Sequence, residues 1–176
     1  MNAKSTKLIT TVGIFSALAI ILYLFDFPIA FLFPTYLKID FSDVPAILAG
    51  IAAGPLAGVL VQLIKNLIHF LIKSETGGIG EIANFIAGTS LMLPIAYFYG
   101  KEKLKVIPSF VLGTISMVIF ANLVNYFITL PLYDMPKDIL LPTIITTLIP
   151  FNIFKAVIVL LVTSILMKRT IKYIRK

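Results

Sequence analysis

The sequence predicts an all-α membrane protein, one compact bundle of six helices with both termini in the cytoplasm, and three observations carry that prediction. Hydrophobic residues make up 59% of the chain and charged ones only 13%, too apolar for a soluble globule of this size without a large exposed apolar surface. The apolar residues fall in runs close to the roughly 20 residues that cross a bilayer. The basic residues, which give a formal net charge of +7, collect in short segments beside those runs.

Five runs are long enough to span alone, over 6–25, 55–72, 79–99, 106–130 and 143–167, and a shorter one covers 43–53. The first follows Lys4 and Lys7 without a convincing cleavage site, so it is expected to stay as a helix. Charge decides whether 43–53 is a separate element or the start of one long helix reaching residue 72. Lys4 and Lys7, then Lys101, Lys103 and Lys105, then Lys168, Arg169, Lys172, Arg175 and Lys176 all belong inside by the positive-inside rule. An even number of crossings must then precede Lys101, which requires a break at Gly54-Pro55. Asp26, Asp40, Asp43, Glu75, Asp134 and Asp138 fall on or near the outer loops, in agreement. Pro28 and Pro34, the Gly77-Gly78-Ile79-Gly80 run, and Pro131, Pro136 and Pro142 punctuate those same loops. No linker, inverted repeat or low-complexity stretch divides the chain, so 1–176 reads as a single membrane domain.

The same observations exclude several functions. The basic character is a topology signal, so no nucleic-acid partner is expected. There is no Gly-x-x-x-x-Gly-Lys-Ser/Thr loop, so the chain is not itself the ATPase of a pump. Cysteine is absent, which removes disulfides, thiol catalysis and thiolate metal sites. The one histidine, His69, has no ligand cluster beside it in sequence and reads as an interface residue. The Gly77-Gly78-Ile79-Gly80 run follows no strand and reads as a turn that admits a ligand closely, not as a phosphate cradle.

Polar residues inside the apolar runs carry the functional signal, because an ionisable group at membrane depth costs about 2.5–3.5 kcal/mol and usually faces a cavity or a partner. Lys155 lies well inside the last run, and Asn152 shares its helical face at i, i+3. Asn122 and Asn125 repeat that spacing in the fifth helix, followed by Tyr126, and Glu81 and Asn84 repeat it at the start of the fourth. These residues either bond helices to one another or meet a ligand. Glu81 is a candidate acidic partner for Lys155. Several amides and one cation suit a neutral, hydrogen-bond-rich heterocycle. Gln62, Lys65 and Asn66 in the third helix form a competing polar group that lines the bundle or meets a partner.

Leu37-Lys38-Ile39-Asp40-Phe41-Ser42-Asp43-Val44-Pro45-Ala46, followed by Ala53-Gly54-Pro55-Leu56-Ala57-Gly58, resembles the riboflavin-specific S components of energy-coupling factor (ECF) vitamin transporters. The resemblance covers essentially the whole chain and includes the Asn-x-x-Lys pair of the sixth helix. It implies a prokaryotic, multi-pass cell-membrane protein that binds riboflavin, with FMN as a further flavin, and does no chemistry on it, so no cofactor is expected. Asn152, Lys155 and Asn125, with Asn122 as second choice, would meet the uracil-like edge of the isoalloxazine ring. Glu81, Asn84, Leu37 and Asp40 would receive the ribityl chain, and Tyr36 and Tyr126 would wall the ring. Asp43 is expected to cap the short second helix. Gly13 and Ala17 would form the small-residue face that docks on the scaffold transmembrane subunit, with two separate ATPase subunits supplying energy. Other readings are an S component for thiamine or biotin, a membrane enzyme of lipid phosphates, which lacks its paired-aspartate motif here, and a small channel.

Overall fold

A computed structural model describes residues 3–174, with side chains from 5 to 167. Lys4, Lys168, Arg169, Lys172, Arg175 and Lys176, on which the predicted topology leans, lie outside these residues or side chains. The elements are α1 (Ala3–Leu24), a two-residue strand pair β1 (Phe27–Pro28) and β2 (Lys38–Ile39), α2 (Asp43–Ala53) and α3 (Pro55–Lys73). They continue with α4 (Ile79–Tyr99), α5 (Val106–Leu132) and α6, whose apolar span is Lys137–Met167 and whose helix runs on to Ile174. Among the described residues, 5 helices are long and apolar enough to cross a membrane. The exception is α2.

The break between α2 and α3 falls where the sequence places it. Gly54 takes φ 96°, a conformation that side chains resist, and Pro55 opens α3 where its missing N–H costs nothing. Gly77 and Gly78, at φ 61° and 97°, turn the chain from α3 into α4. The start of α6 differs from expectation: it begins at Lys137, not at 143, with Pro142 accommodated inside the helix. Directly after Pro142, residues Ile144–Leu148 widen into π-type bonding, with the Ile149 N–H reaching Ile144 O. The same device accompanies Pro94 in α4, at Ile95–Tyr99, and precedes Pro131 in α5, at Asn125–Thr129. Each proline removes a donor and pushes its ring at the preceding turn, which displaces the regular ladder.

At the centre sits α2, buried continuously from Asp43 to Ile51. Val44, Ile47, Leu48 and Ile51 pack against Leu91, Met92 and Ile95 of α4 and Val159 and Leu160 of α6. Its other side, Ala46 and Ala49, meets Val12 and Ala19 of α1 and Ala57 and Val61 of α3. Small residues let the helices approach: a Cβ at Gly113 would lie 2.6 Å from Leu91 O, and one at Gly58 would lie 2.9 Å from Ala46 O. The outward faces stay apolar, with Ile14, Leu18, Leu67, Ile119 and Leu161 all exposed, as lipid contact requires.

A methyl at Gly88 would collide with Asp43 Oδ1 and the Gln62 amide, whereas one at Gly13 meets nothing within 4 Å. Gly88→Ala is therefore expected to cost about 1–3 kcal/mol and to lower the thermal midpoint in detergent. Gly13→Ala should leave that midpoint unchanged or raised.

Candidate functional site

The connection from α1 to α2 folds into the protein instead of lying in solvent. Phe27 pairs with Ile39 and Pro28 with Lys38, and the returning strand delivers Asp40 into the interior one step before α2 begins. Four charged side chains meet there: Asp40 at 1% exposure, Asp43 and Lys65 at 0%, and Lys155 at 4%. Lys65 Nζ lies 2.6 Å from Asp43 Oδ1 and donates to Ser42 Oγ at 2.6 Å. Lys155 Nζ lies 3.1 Å from Asp40 Oδ2 and 3.5 Å from Asp43 Oδ2. Asp43 Oδ2 has no hydrogen bond beyond that longer ion contact, and the other carboxylate oxygens accept further bonds. Gln62 Nε2 donates to Asp43 Oδ1 at 2.9 Å and Asn84 Nδ2 to Asp40 Oδ2 at 3.4 Å. The Ser42 N–H donates to Asp40 Oδ1 at 2.8 Å, joined by the Ser42 hydroxyl.

Two cations and two anions cancel, as they must where each unpaired ion would cost several kcal/mol of desolvation. Burial by itself would raise the pKa of Asp40, but Lys155, then Lys65, then the Ser42 hydrogen bonds outweigh it and hold the carboxyl well below the ordinary range. A carboxyl depressed in this way contributes stability that is complete above about pH 4 and is lost as pH falls through the folded value.

These contacts revise two expectations. The acidic partners of Lys155 are Asp40 and Asp43, not Glu81. Asp43 is not the cap of α2: Ser42 holds the N-cap position, its hydroxyl bonded to Asp40 and Lys65 and not to the helix backbone, and the Asp43 carboxylate turns inward to the lysines.

Glu81 instead serves His69. His69 Nδ1 lies 2.8 Å from Glu81 Oε1, and Glu81 Oε2 accepts from Ser74 Oγ at 3.0 Å and Thr76 Oγ1 at 3.2 Å. The Tyr23 ring stacks on the imidazole at 3.8 Å, with Lys65 Nζ 5.3 Å from the tyrosine ring centre. His69 thus sits buried where α3 meets α1 and α4. Nearer the surface, Asp26 pairs with Lys73 and, at 3.6 Å, with Lys38, which also reaches Glu75 at 2.7 Å. These pairs tie the returning strand to the ends of α1 and α3.

Between the first loop and α3 through α6 lies a cavity of about 690 Å³, within the range of small-molecule sites. Ala87, Met117, Ala121, Leu130, Leu148 and Phe151 supply apolar wall. Of the residues singled out in the sequence, Tyr36, Leu37, Asp40, Glu81, Asn84, Asn125, Asn152 and Lys155 line it. Asn122 and Tyr126 do not. The Asn122 amide donates back to Val118 O at 2.6 Å within its own helix, and Tyr126 is exposed and packs edge-on against Phe127. Asn125 opens the wide turn of α5 and accepts from Thr129 Oγ1 at 2.6 Å.

Sequence reasoning did not place Tyr23, His69, Lys73 or Thr129 in the wall. A signal for two of them existed: Gln62, Lys65, Asn66, His69 and Lys73 follow i, i+3, i+4, i+7, i+11, one polar stripe along an otherwise apolar α3. Gly13 and Ala17 lie apart from the cavity, exposed on α1.

Comparison with known proteins gives a consistent result. The family model described as ECF transporter, substrate-specific component, matches residues 7–167. The riboflavin transporter FmnP of Bacillus subtilis is 37% identical over 91% of this chain and 90% of its own length. The riboflavin transporter RibU of Staphylococcus aureus is 38% identical over 100% of this chain and 96% of its own. A solved S component of a bacterial ECF transporter superposes with a TM-score of 0.82 at 38% identity, covering 98% of this chain and 99% of that one.

Replacing Lys155 by Met leaves two buried carboxylates facing Lys65 alone. The expected cost is about 3–5 kcal/mol, read as a lowered melting temperature in detergent, and adding Asp40→Asn to the same chain should recover most of it.

Proposed function

This chain belongs to the family of ECF transporter substrate-specific components, and on that premise we propose that it captures riboflavin for uptake through the cell membrane, binding it without chemical change. The observation that carries the reading is the cavity, which joins flat apolar walls to a continuous polar line. That line runs from Asn152 and Lys155 on α6 through Asp40 and Asn84 to Glu81, one helical turn from Asn84. An isoalloxazine ring fits between apolar walls such as Ala87, Met117 and Phe151, and its uracil-like edge presents two carbonyl oxygens flanking an N–H. Asn152 can accept from that N–H and donate to a carbonyl, and Asn125 and Lys155 add donors. The ribityl hydroxyls, each donor and acceptor, suit Asp40, Asn84 and Glu81, with Leu37 and Tyr36 of the first loop closing over them. The four buried charges sum to zero, which suits the neutral ring and ribityl chain. FMN belongs to the proposal as a second flavin, its phosphate falling toward Lys38 and Lys73 at the rim.

The finer topology is part of the same reading: a single membrane domain over 1–176, six crossings with α2 as a short one, and both termini cytoplasmic. Gly13 and Ala17 form a small-residue face open to an outside helix, which suits a scaffold subunit coupled to two ATPase subunits. Transport energy then comes from those partners, since this chain has no phosphate-binding loop.

The direct test is titration of the detergent-purified protein into riboflavin, followed by quenching of flavin fluorescence. Stoichiometric quenching that excess thiamine or biotin leaves intact supports the reading, and no quenching by folded protein would sink it. Asn152→Ala should weaken binding by about tenfold or more, the worth of one or two hydrogen bonds, with little change in melting temperature. Gly13→Leu should bind riboflavin normally yet abolish uptake in cells, and intact uptake would remove α1 from the docking role.

A further inference from the structure

We infer that Lys65 is a positioning residue for the flavin: without lining the cavity, it neutralises carboxylates that would otherwise claim Lys155, and so holds the Lys155 ammonium at the cavity wall. The inference rests on the riboflavin reading above and adds a residue to it.

Lys65 is wholly buried and absent from the wall, as is Asp43. Its ammonium sits between Asp43 Oδ1 and Ser42 Oγ, 2.6 Å from each. Ser42 in turn holds Asp40 Oδ1 through its backbone N–H. Lys65 therefore acts on Asp43 directly and on Asp40 through Ser42, and Lys155 is left with one close contact, Asp40 Oδ2 at 3.1 Å, and one long contact, Asp43 Oδ2 at 3.5 Å. Without Lys65, one cation would serve two carboxylates. Lys155 would be drawn toward Asp43, away from the ligand, and a net negative charge would stand beside the carbonyl oxygens of the ring. A lysine that only ties α3 to α2 would have a different signature: its loss would lower the melting temperature and leave the riboflavin affinity of the folded protein unchanged.

That difference is the test. Riboflavin titrations are run on wild type, Lys65→Met, and Lys65→Met combined with Asp43→Asn, which restores neutrality without restoring the ion pair. Lys65→Met is expected to lose about thirtyfold or more in affinity, and the double variant to return to within about fivefold of wild type. Lys65→Met binding as tightly as wild type overturns the inference, and so does a double variant as weak as the single. Should Lys65→Met fail to fold, Lys65→Gln, which keeps a donor beside Asp43 and Ser42 without the charge, takes its place: an affinity lowered about thirtyfold upholds the inference, and wild-type affinity or an unfolded chain overturns it. Wild-type protein that takes no riboflavin is a separate outcome: it defeats the substrate reading itself, and this inference with it.

Discussion

Charge balance away from water is the constraint on which the structure depends. Asp40, Asp43, Lys65 and Lys155 come from the first loop, α2, α3 and α6, and each is almost completely buried. None is tolerable alone in that setting. Pairing them fixes four elements relative to one another and leaves a neutral cluster with one cation, Lys155, at the edge of a cavity. The proposed ligand site is in this sense the open side of an ion network, lined by Asn125, Asn152 and Lys155.

The helices are shaped around that cluster. Because α2 is short, it can end in the interior, where Asp43 meets the lysines at its first turn. Gly88 gives Asp43 and Gln62 room beside α4, and Gly58 lets α3 approach α2. Widened turns beside prolines alter the phase of α4, α5 and α6. In α5, Asn125 lines the cavity and accepts from Thr129, whereas Asn122, three residues earlier, donates to Val118 O and lies outside the cavity. Irregular backbone is tolerable at such depth when protein or a cavity covers it.

Helix boundaries were legible in the sequence because lipid imposes composition and length on every span, and Gly54-Pro55 is an unambiguous break. Eight of the ten residues expected to meet a ligand line the cavity, since polar groups are scarce in these helices and each needs a reason. Contacts between elements were not. Lys155 and Asp40 are 115 residues apart, and periodicity reports which face a residue shares, not what faces it. Glu81 therefore passed for the partner of Lys155, and Asp43 for a cap, until the inward fold of the first loop supplied the true pairing. The partners of His69, Tyr23 and Glu81, were hidden for the same reason. The early start of α6 was hidden by Pro142, which ordinarily breaks a helix and here sits before a widened turn.

The most direct test of the account is an experimental structure of the purified protein with riboflavin bound. The isoalloxazine ring is expected in the cavity, its uracil-like edge within hydrogen-bonding distance of Asn152 and Lys155, and the ribityl chain directed along Asn84 toward Glu81. A flavin bound outside this cavity, or one seated with its ribityl chain against Asn152 and Lys155, would contradict it.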